Sequence, residues 1–219
     1  MKDYNLGFIS NSEIYNQVRQ MVLSYRKEII LSQFNENIDD PIKDAYAKGL
    51  ELVAGGDFVK QHDSRNTKYI GLFQSNIFKC VGNGWAIPGE DFDIENKSLH
   101  IYVEMSNSTA TCAVSLRKTY IKMQSKLLED SKATCCLVES FTNGSVDENL
   151  KITIDNKACT HNKIRRMSMD KFYELVFGDK FAYYKLCKAL PSVIEDVIRD
   201  DREAFEIFLN MMSNELLWQ

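Results

Sequence analysis

The chain has 219 residues, 44% hydrophobic and 26% charged, with a net charge of −4. That length suits one sizeable domain, or one domain with a small helical appendage. Three prolines and ten glycines argue against a disordered chain, and the acidic balance argues against a strongly basic nucleic-acid coat protein; a locally basic cleft on an acidic surface stays compatible with both.

The first expected element is a helix over about Ser12 to Ile30, where Ile14, Val18, Met21, Val22, Tyr25 and Ile29 recur at helical spacing, with Ser10 or Ser12 as its cap. Asp40-Pro41 opens a second helix, running to about Val53 before Gly55-Gly56. A short helix over Asp57 to His62 and a longer one from about Thr67 to Val81 follow. Gly82-Asn83-Gly84 is a turn, after which Trp85 to Pro88 and Phe92-Asp93-Ile94 read as short strands. Ser98 to Met105 is a clearer strand, with Leu99, Ile101 and Val103 on one face and His100, Tyr102 and Glu104 on the other. An amphipathic helix over about Ser115 to Glu129 has an apolar stripe of Leu116, Tyr120, Met123 and Leu127. Lys118, Lys122 and Lys126 form its basic stripe at i, i+4 and i+8. Ala133 to Phe141 is an apolar, β-branched strand, Asn143-Gly144 a turn, and Leu150 to Ile154 another strand. The remainder reads as helices over about Ser168 to Phe177, Phe181 to Ala189, Pro191 to Arg199 and Glu203 to Leu216. No linker stands out, so a single domain over 1–219 is expected.

The apolar stretches are short and broken by charge, which predicts no membrane span. Met1-Lys2-Asp3-Tyr4-Asn5 lacks the apolar core of a signal peptide, and the expected location is the cytoplasm. The six cysteines form no CxxC pair and fit free thiols in a reducing compartment. Cys159-x-His161 has metal-ligand spacing but no matching second pair.

Asp93 and Glu104 are the residues with chemical promise. Each lies in an expected strand, and the ten residues between them allow a tight hairpin that brings both carboxylates to one place. Mg²⁺ takes one or two carboxylates and keeps several waters, so such a pair suits it. A pair of solvated strand carboxylates gives the same pattern. Glu51 and Asp57 are further carboxylates that could join a metal site or simply lie on the surface. Lys163, Arg165 and Arg166 form a basic run before a helix, suited either to phosphate and guanine contacts or to a solvated loop.

Read in order, the short motifs resemble one family. They are Asn66-Thr67, Ile70-Gly71-x-Phe73, Gln74-x-Asn76-Ile77-Phe78-Lys79, Gly84-Trp85, Phe92-Asp93-Ile94, Ile101-Tyr102-Val103-Glu104-Met105 and Lys118-Thr119-Tyr120-x-x-Met123-Gln124. Leu137-Val138-Glu139, Lys163-Ile164-Arg165-Arg166 and Asp170-Lys171-Phe172-Tyr173-Glu174-Leu175 extend the series, with Phe8-Ile9-Ser10 and Asn37-Ile38-x-x-Pro41-Ile42-Lys43 before it. This string resembles the type II restriction endonucleases that cut GGNCC-like sites, members of the PD-(D/E)xK nucleases. It reaches to about Gly178, and the last forty or so residues carry no match.

The resemblance implies an α/β fold with a restriction-endonuclease-like core: a mixed central sheet flanked by helices, with additional N- and C-terminal helices. It implies Mg²⁺ held by Asp93 and Glu104, double-stranded DNA as substrate, a homodimer on a palindromic site, and a companion DNA methyltransferase. Lys118, Lys122, Lys163, Arg165 and Arg166 become the expected DNA contacts. One departure matters. The family pattern reads Glu-Met-Lys-Asn-Lys, whereas this chain reads Glu104-Met105-Ser106-Asn107-Ser108. Ser106 stands at the position of the catalytic lysine and brings no charge. Lys118 or Lys122 could supply a lysine from the following helix. Otherwise the chain is a relative that binds DNA and is impaired in cutting it, or one whose residues were replaced. A helical interaction protein is the reading outside this class.

Overall fold

The computed structural model describes residues 2–24, 67–80, 82–88, 91–106, 113–140 and 142–206, together with Ile42, Ala45, Lys48, Gly49, Leu52 and Leu209. The chain divides into two compact units, Met1–Cys80 with Tyr184–Gln219, and Val81–Tyr183.

The first unit is helical. Helix α1 covers Asn11–Ser24 and α2 covers Thr67–Cys80. Ser10 begins α1 as a capping box: the Glu13 N–H donates to Ser10 Oγ at 3.2 Å, and the Ser10 N–H donates to Glu13 Oε2 at 3.1 Å. The residues of α1 that recur at helical spacing, Ile14, Val18, Met21 and Val22, are all buried. Ile42, Ala45, Lys48, Gly49 and Leu52 are helical, as the Asp40-Pro41 start predicts. The short helix expected over Asp57 to His62 lies outside the described residues, as do Glu51 and Asp57.

Most of the last long helix, Ala182–Asp200, also belongs to this unit. The sequence predicts two helices broken at Pro191; the structure has one, with Pro191 inside it. An interior proline costs about 3 kcal/mol. Leu190, Val193, Ile194, Val197 and Ile198 are all fully buried, and each buried aliphatic side chain contributes roughly 1.5–3 kcal/mol, enough to carry the helix through. Its packing is close: a Cβ on Gly49 would meet Ile194 Cβ at 2.7 Å. Tyr4 donates to Asp196 at 3.0 Å, and Arg19 to Asp201 at 2.5 Å.

The second unit is built on a six-stranded mixed sheet. Its strands are β1 (Trp85–Ala86), β2 (Ile94–Asn96), β3 (Ile101–Ser106), β4 (Thr134–Glu139), β5 (Asp147–Ile154) and β6 (Lys157–Ser168), in the spatial order β1-β2-β3-β4-β6-β5. The pairs β1–β2, β2–β3 and β5–β6 are antiparallel, and β3–β4 and β4–β6 are parallel. A parallel neighbour needs a crossover. Helix α3 (Ala113–Glu129) supplies the one between β3 and β4. It covers one face of the sheet, where Tyr120 and Met123 pack with Phe92, Tyr102, Cys135, Leu137, Leu150, Ile152 and Ile164. Helix α4 (Met169–Phe177) contacts β4 and β6, and its Phe172 meets the Trp85 ring edge-on at 5.6 Å. The helix Ala182–Asp200 is α5. The expected α/β class with a mixed sheet and flanking helices is the one observed.

Two local expectations need correction. The strand expected from Ser98 begins at Ile101, because Lys97 to His100 form a turn. Asn96 Oδ1 accepts from the Leu99 N–H at 3.1 Å, His100 takes a positive φ of 56°, and Leu99 is 58% exposed, not on the core face. The segment around Lys163 is not a loop before a helix but part of the longest strand, β6. Asp155 and Asn156, both at positive φ, make the two-residue turn that folds β6 back on β5.

Candidate nuclease centre

Strands β2 and β3 pair Ile94 with Val103. One step further along the hairpin stand Asp93 and Glu104, facing each other at its open end. The Asp93 N–H donates to Val103 O at 3.0 Å, and Asp93 Oδ2 accepts from the Met105 N–H at 2.7 Å. The aspartate is therefore fixed against β3 by both backbone and side chain. Phe92 next to it is buried against Tyr102, with ring centroids 5.5 Å apart, which anchors the approach to β2. The hairpin inferred from the ten-residue spacing thus brings the two carboxylates together.

Side chains two apart on β3 share a face, so Tyr102, Glu104 and Ser106 lie on the side covered by α3. There the Lys122 ammonium donates to Glu104 Oε1. The same ammonium stands 4.6 Å from the centroid of the Phe92 ring. One turn earlier Lys118 is exposed. One turn later Lys126 pairs with Glu129 and lies 4.7 Å over the Tyr102 ring. The basic stripe is therefore not a uniform solvated face: two of its three lysines lean over β2 and β3, and Lys122, not Lys118, reaches Glu104.

Burial raises the Glu104 carboxyl above its ordinary pKa; the Lys122 ammonium opposes that shift and the nearby Asp93 charge adds to it. Two carboxylates at close quarters, one of them desolvated, favour a cation between them. The donor set is two carboxylates, Asp93 just before β2 and Glu104 within β3, and such hard oxygen donors fit Mg²⁺ with its several retained waters. Among the described residues no group of three or more His, Cys, Asp or Glu could hold a metal ion. That includes Cys159 and His161, where Cys159 Sγ turns to Lys157 O and His161 Nδ1 accepts from the Lys163 N–H. Cys135 and Cys136 do point to opposite faces of β4, and burial pushes both thiols up to about 12, which leaves them inert.

The basic run on β6 alternates between faces. Arg165 aligns with Cys136 and is bound by Asp147 at 2.6 Å and Asn149 at 2.9 Å. Arg166 aligns with Leu137 and is bound by Glu139 at 2.7 Å and Glu148 at 3.4 Å. Lys163 donates to Ser131 O at 2.6 Å. Glu139, which sequence reasoning gave no role, aligns with Ser106 across the parallel β3–β4 pair. Its signal was present, since Leu137-Val138-Glu139 ends a buried strand on the face of Glu104. A second cluster lies at the opposite end of β3. His100 Nδ1 and Asp130 Oδ2 are 2.7 Å apart, and the Tyr102 hydroxyl donates to the same oxygen at 3.2 Å, tying the C-terminal end of α3 to the sheet.

The family model described as Eco47II restriction endonuclease matches residues 6–199. The Type II restriction enzyme Sau96I of Staphylococcus aureus is 22% identical over 223 residues, covering 92% of this chain and 84% of that protein. No solved structure is a significant match. Among the described residues no helix is long and apolar enough to cross a membrane. The family match includes the whole sheet with Asp93 and Glu104, and by its extent the chain belongs to the Eco47II restriction endonuclease family of site-specific deoxyribonucleases.

Proposed function

We propose that the chain cleaves double-stranded DNA at a specific, GGNCC-like site in a Mg²⁺-dependent reaction centred on Asp93 and Glu104. The observation that carries this reading is their joint placement at the end of the β2–β3 hairpin with a lysine ammonium on Glu104. Bound magnesium would activate a water and offset negative charge that develops on the phosphate. Asp93 and Glu104 would hold it there. Ser106 adds a hydroxyl that can orient a water. Lys122 supplies from α3 the positive charge that the Ser106 position lacks; a fixed cation beside a reacting phosphate stabilises the charge that grows in the transition state.

DNA contacts are assigned to Lys118, Lys122, Lys163, Arg165 and Arg166. Lys118 is the one that projects freely from α3, which suits a phosphate. Arg165 and Arg166 would exchange their present carboxylate partners for DNA. A homodimer matches a palindromic site, and a companion methyltransferase would protect cellular DNA in the cytoplasm.

A second reading rests on Ser106: without the strand lysine, the chain binds its site and cuts it poorly or not at all. Incubation with unmethylated plasmid DNA separates the two. The endonuclease reading expects discrete fragments that require Mg²⁺ or Mn²⁺ and vanish with chelator. Retarded, uncut DNA under the same conditions would support the second reading.

A further inference from the structure

Lys122 makes two contacts that together suggest more than a fixed charge. Its ammonium donates to Glu104 Oε1, on the carboxylate proposed to hold the metal, and it also rests 4.6 Å from the centroid of the Phe92 ring. The lysine side chain is 37% exposed and that of Glu104 20%, so the pair sits where solvent and ions can reach it. A divalent cation arriving at Glu104 competes with the ammonium for the same carboxylate charge, and the two like charges repel at such short range. The aromatic face gives the ammonium a second favourable position beside the site.

We propose that Lys122 is an internal counter-cation of the nuclease centre. It occupies Glu104 before metal arrives, yields that oxygen by exchange, and remains beside the site over the Phe92 ring. This inference rests on the reading of Asp93 and Glu104 as metal ligands. It gives Lys122 two effects of opposite sign. In the protein alone it weakens metal binding by competition; with DNA present it is free to face phosphate. A lysine that merely props up Glu104 would have only one effect, because its removal would loosen the ligand and weaken the metal. The arrangement also keeps Glu104 paired while the site awaits its ion, so the half-buried carboxylate is not left without a cation.

The test uses Mn²⁺ as the probe, without DNA, at constant neutral pH, with free ion followed by its electron paramagnetic resonance signal. The variants are Lys122→Met, Lys122→Gln, Lys122→Arg, Lys118→Met and Glu104→Gln, each checked for a parental melting profile. Loss of one charge-assisted contact predicts that Lys122→Met and Lys122→Gln bind Mn²⁺ about three- to thirtyfold more tightly than the parent. Lys122→Arg and Lys118→Met stay near the parental value. Equal or weaker binding by both neutral Lys122 variants overturns the exchange while Glu104→Gln still reduces binding. If Glu104→Gln leaves Mn²⁺ binding at its parental level, the metal-site reading itself fails, and the exchange fails with it.

Discussion

Glu104→Ala is expected to cleave at least about a hundredfold more slowly than the parent while still binding DNA, because Glu104 is proposed to hold the metal and even disturbing a partner of such a ligand costs about 10–100-fold. Glu104 lies on a paired strand, held by register opposite Leu137 and facing Lys122, so no neighbouring backbone shift readily replaces its oxygen. Asp93→Ala should act in the same direction. Stability should move differently. Burial holds the Glu104 pKa above its ordinary value, so the folded state disfavours the ionised carboxylate. The associated stability is present below the ordinary carboxyl pKa and is lost as pH rises through the raised one. Above the raised pKa the buried carboxylate therefore detracts from folding, and Glu104→Ala should melt at or above the parental temperature. Plasmid cleavage, gel retardation and thermal melting on one preparation check all three statements. A lower melting temperature would show instead that cleavage is lost through unfolding and would contradict a role for Glu104 in the reaction alone.

Phe172→Ala should lower the stability of the sheet unit by about 3–5 kcal/mol. That is a large share of the 5–15 kcal/mol that holds a typical domain together. Phe172 is fully buried on α4, and its ring meets Trp85 of β1 at an interplanar angle of 89°. β1 pairs with β2, and β2 continues directly from Asp93, so the cavity would open behind the strand that positions this proposed metal ligand. Denaturant unfolding followed by tryptophan emission reads both effects, because Trp85 is one of only two tryptophans in the chain. A shift below about 1 kcal/mol would mean that the site collapses around the missing ring.

Much of this architecture could be read in the chain because burial and period coincide. The helix expected from Thr67 to Val81 is observed over Thr67–Cys80, and the one expected from Ser115 to Glu129 over Ala113–Glu129. The Asp93 to Glu104 hairpin was legible because both carboxylates sit beside apolar strand residues, Ile94 and Val103, that are fully buried. Strand β6 was not legible. Its first half, Lys157 to Lys163, lies in the exposed or half-buried part of a hairpin, where neither face needs apolar residues. Its second half puts two adjacent arginines, Arg165 and Arg166, between the buried Ile164 and Met167, and arginines held by Asp147, Glu139 and Glu148 look like a basic loop until their partners on neighbouring strands are known. Pro191 misled for the converse reason: local backbone preference was overruled by the buried apolar residues on either side of it.

The choice between lysines could not be settled by spacing. Lys118, Lys122 and Lys126 share one helical stripe, and which of them meets Glu104 depends on how far along the sheet α3 is set. The Asp130 contacts to His100 and Tyr102 fix that setting at one end, and the packing of Tyr120 and Met123 fixes it along the helix. With α3 so placed, the middle lysine faces the carboxylate.

The role of Lys122 as the cation of the site is tested by metal-dependent cleavage of plasmid DNA by the parent, by Lys122→Met and by the double variant Lys122→Met with Ser106→Lys. The single variant is expected to lose cleavage by about ten- to a thousandfold, the scale of removing one preorganised charge-stabilising group, and a lysine placed on the strand at Ser106 is expected to restore much of it. Parental cleavage by Lys122→Met would contradict it, because the cation of the site would then come from somewhere else.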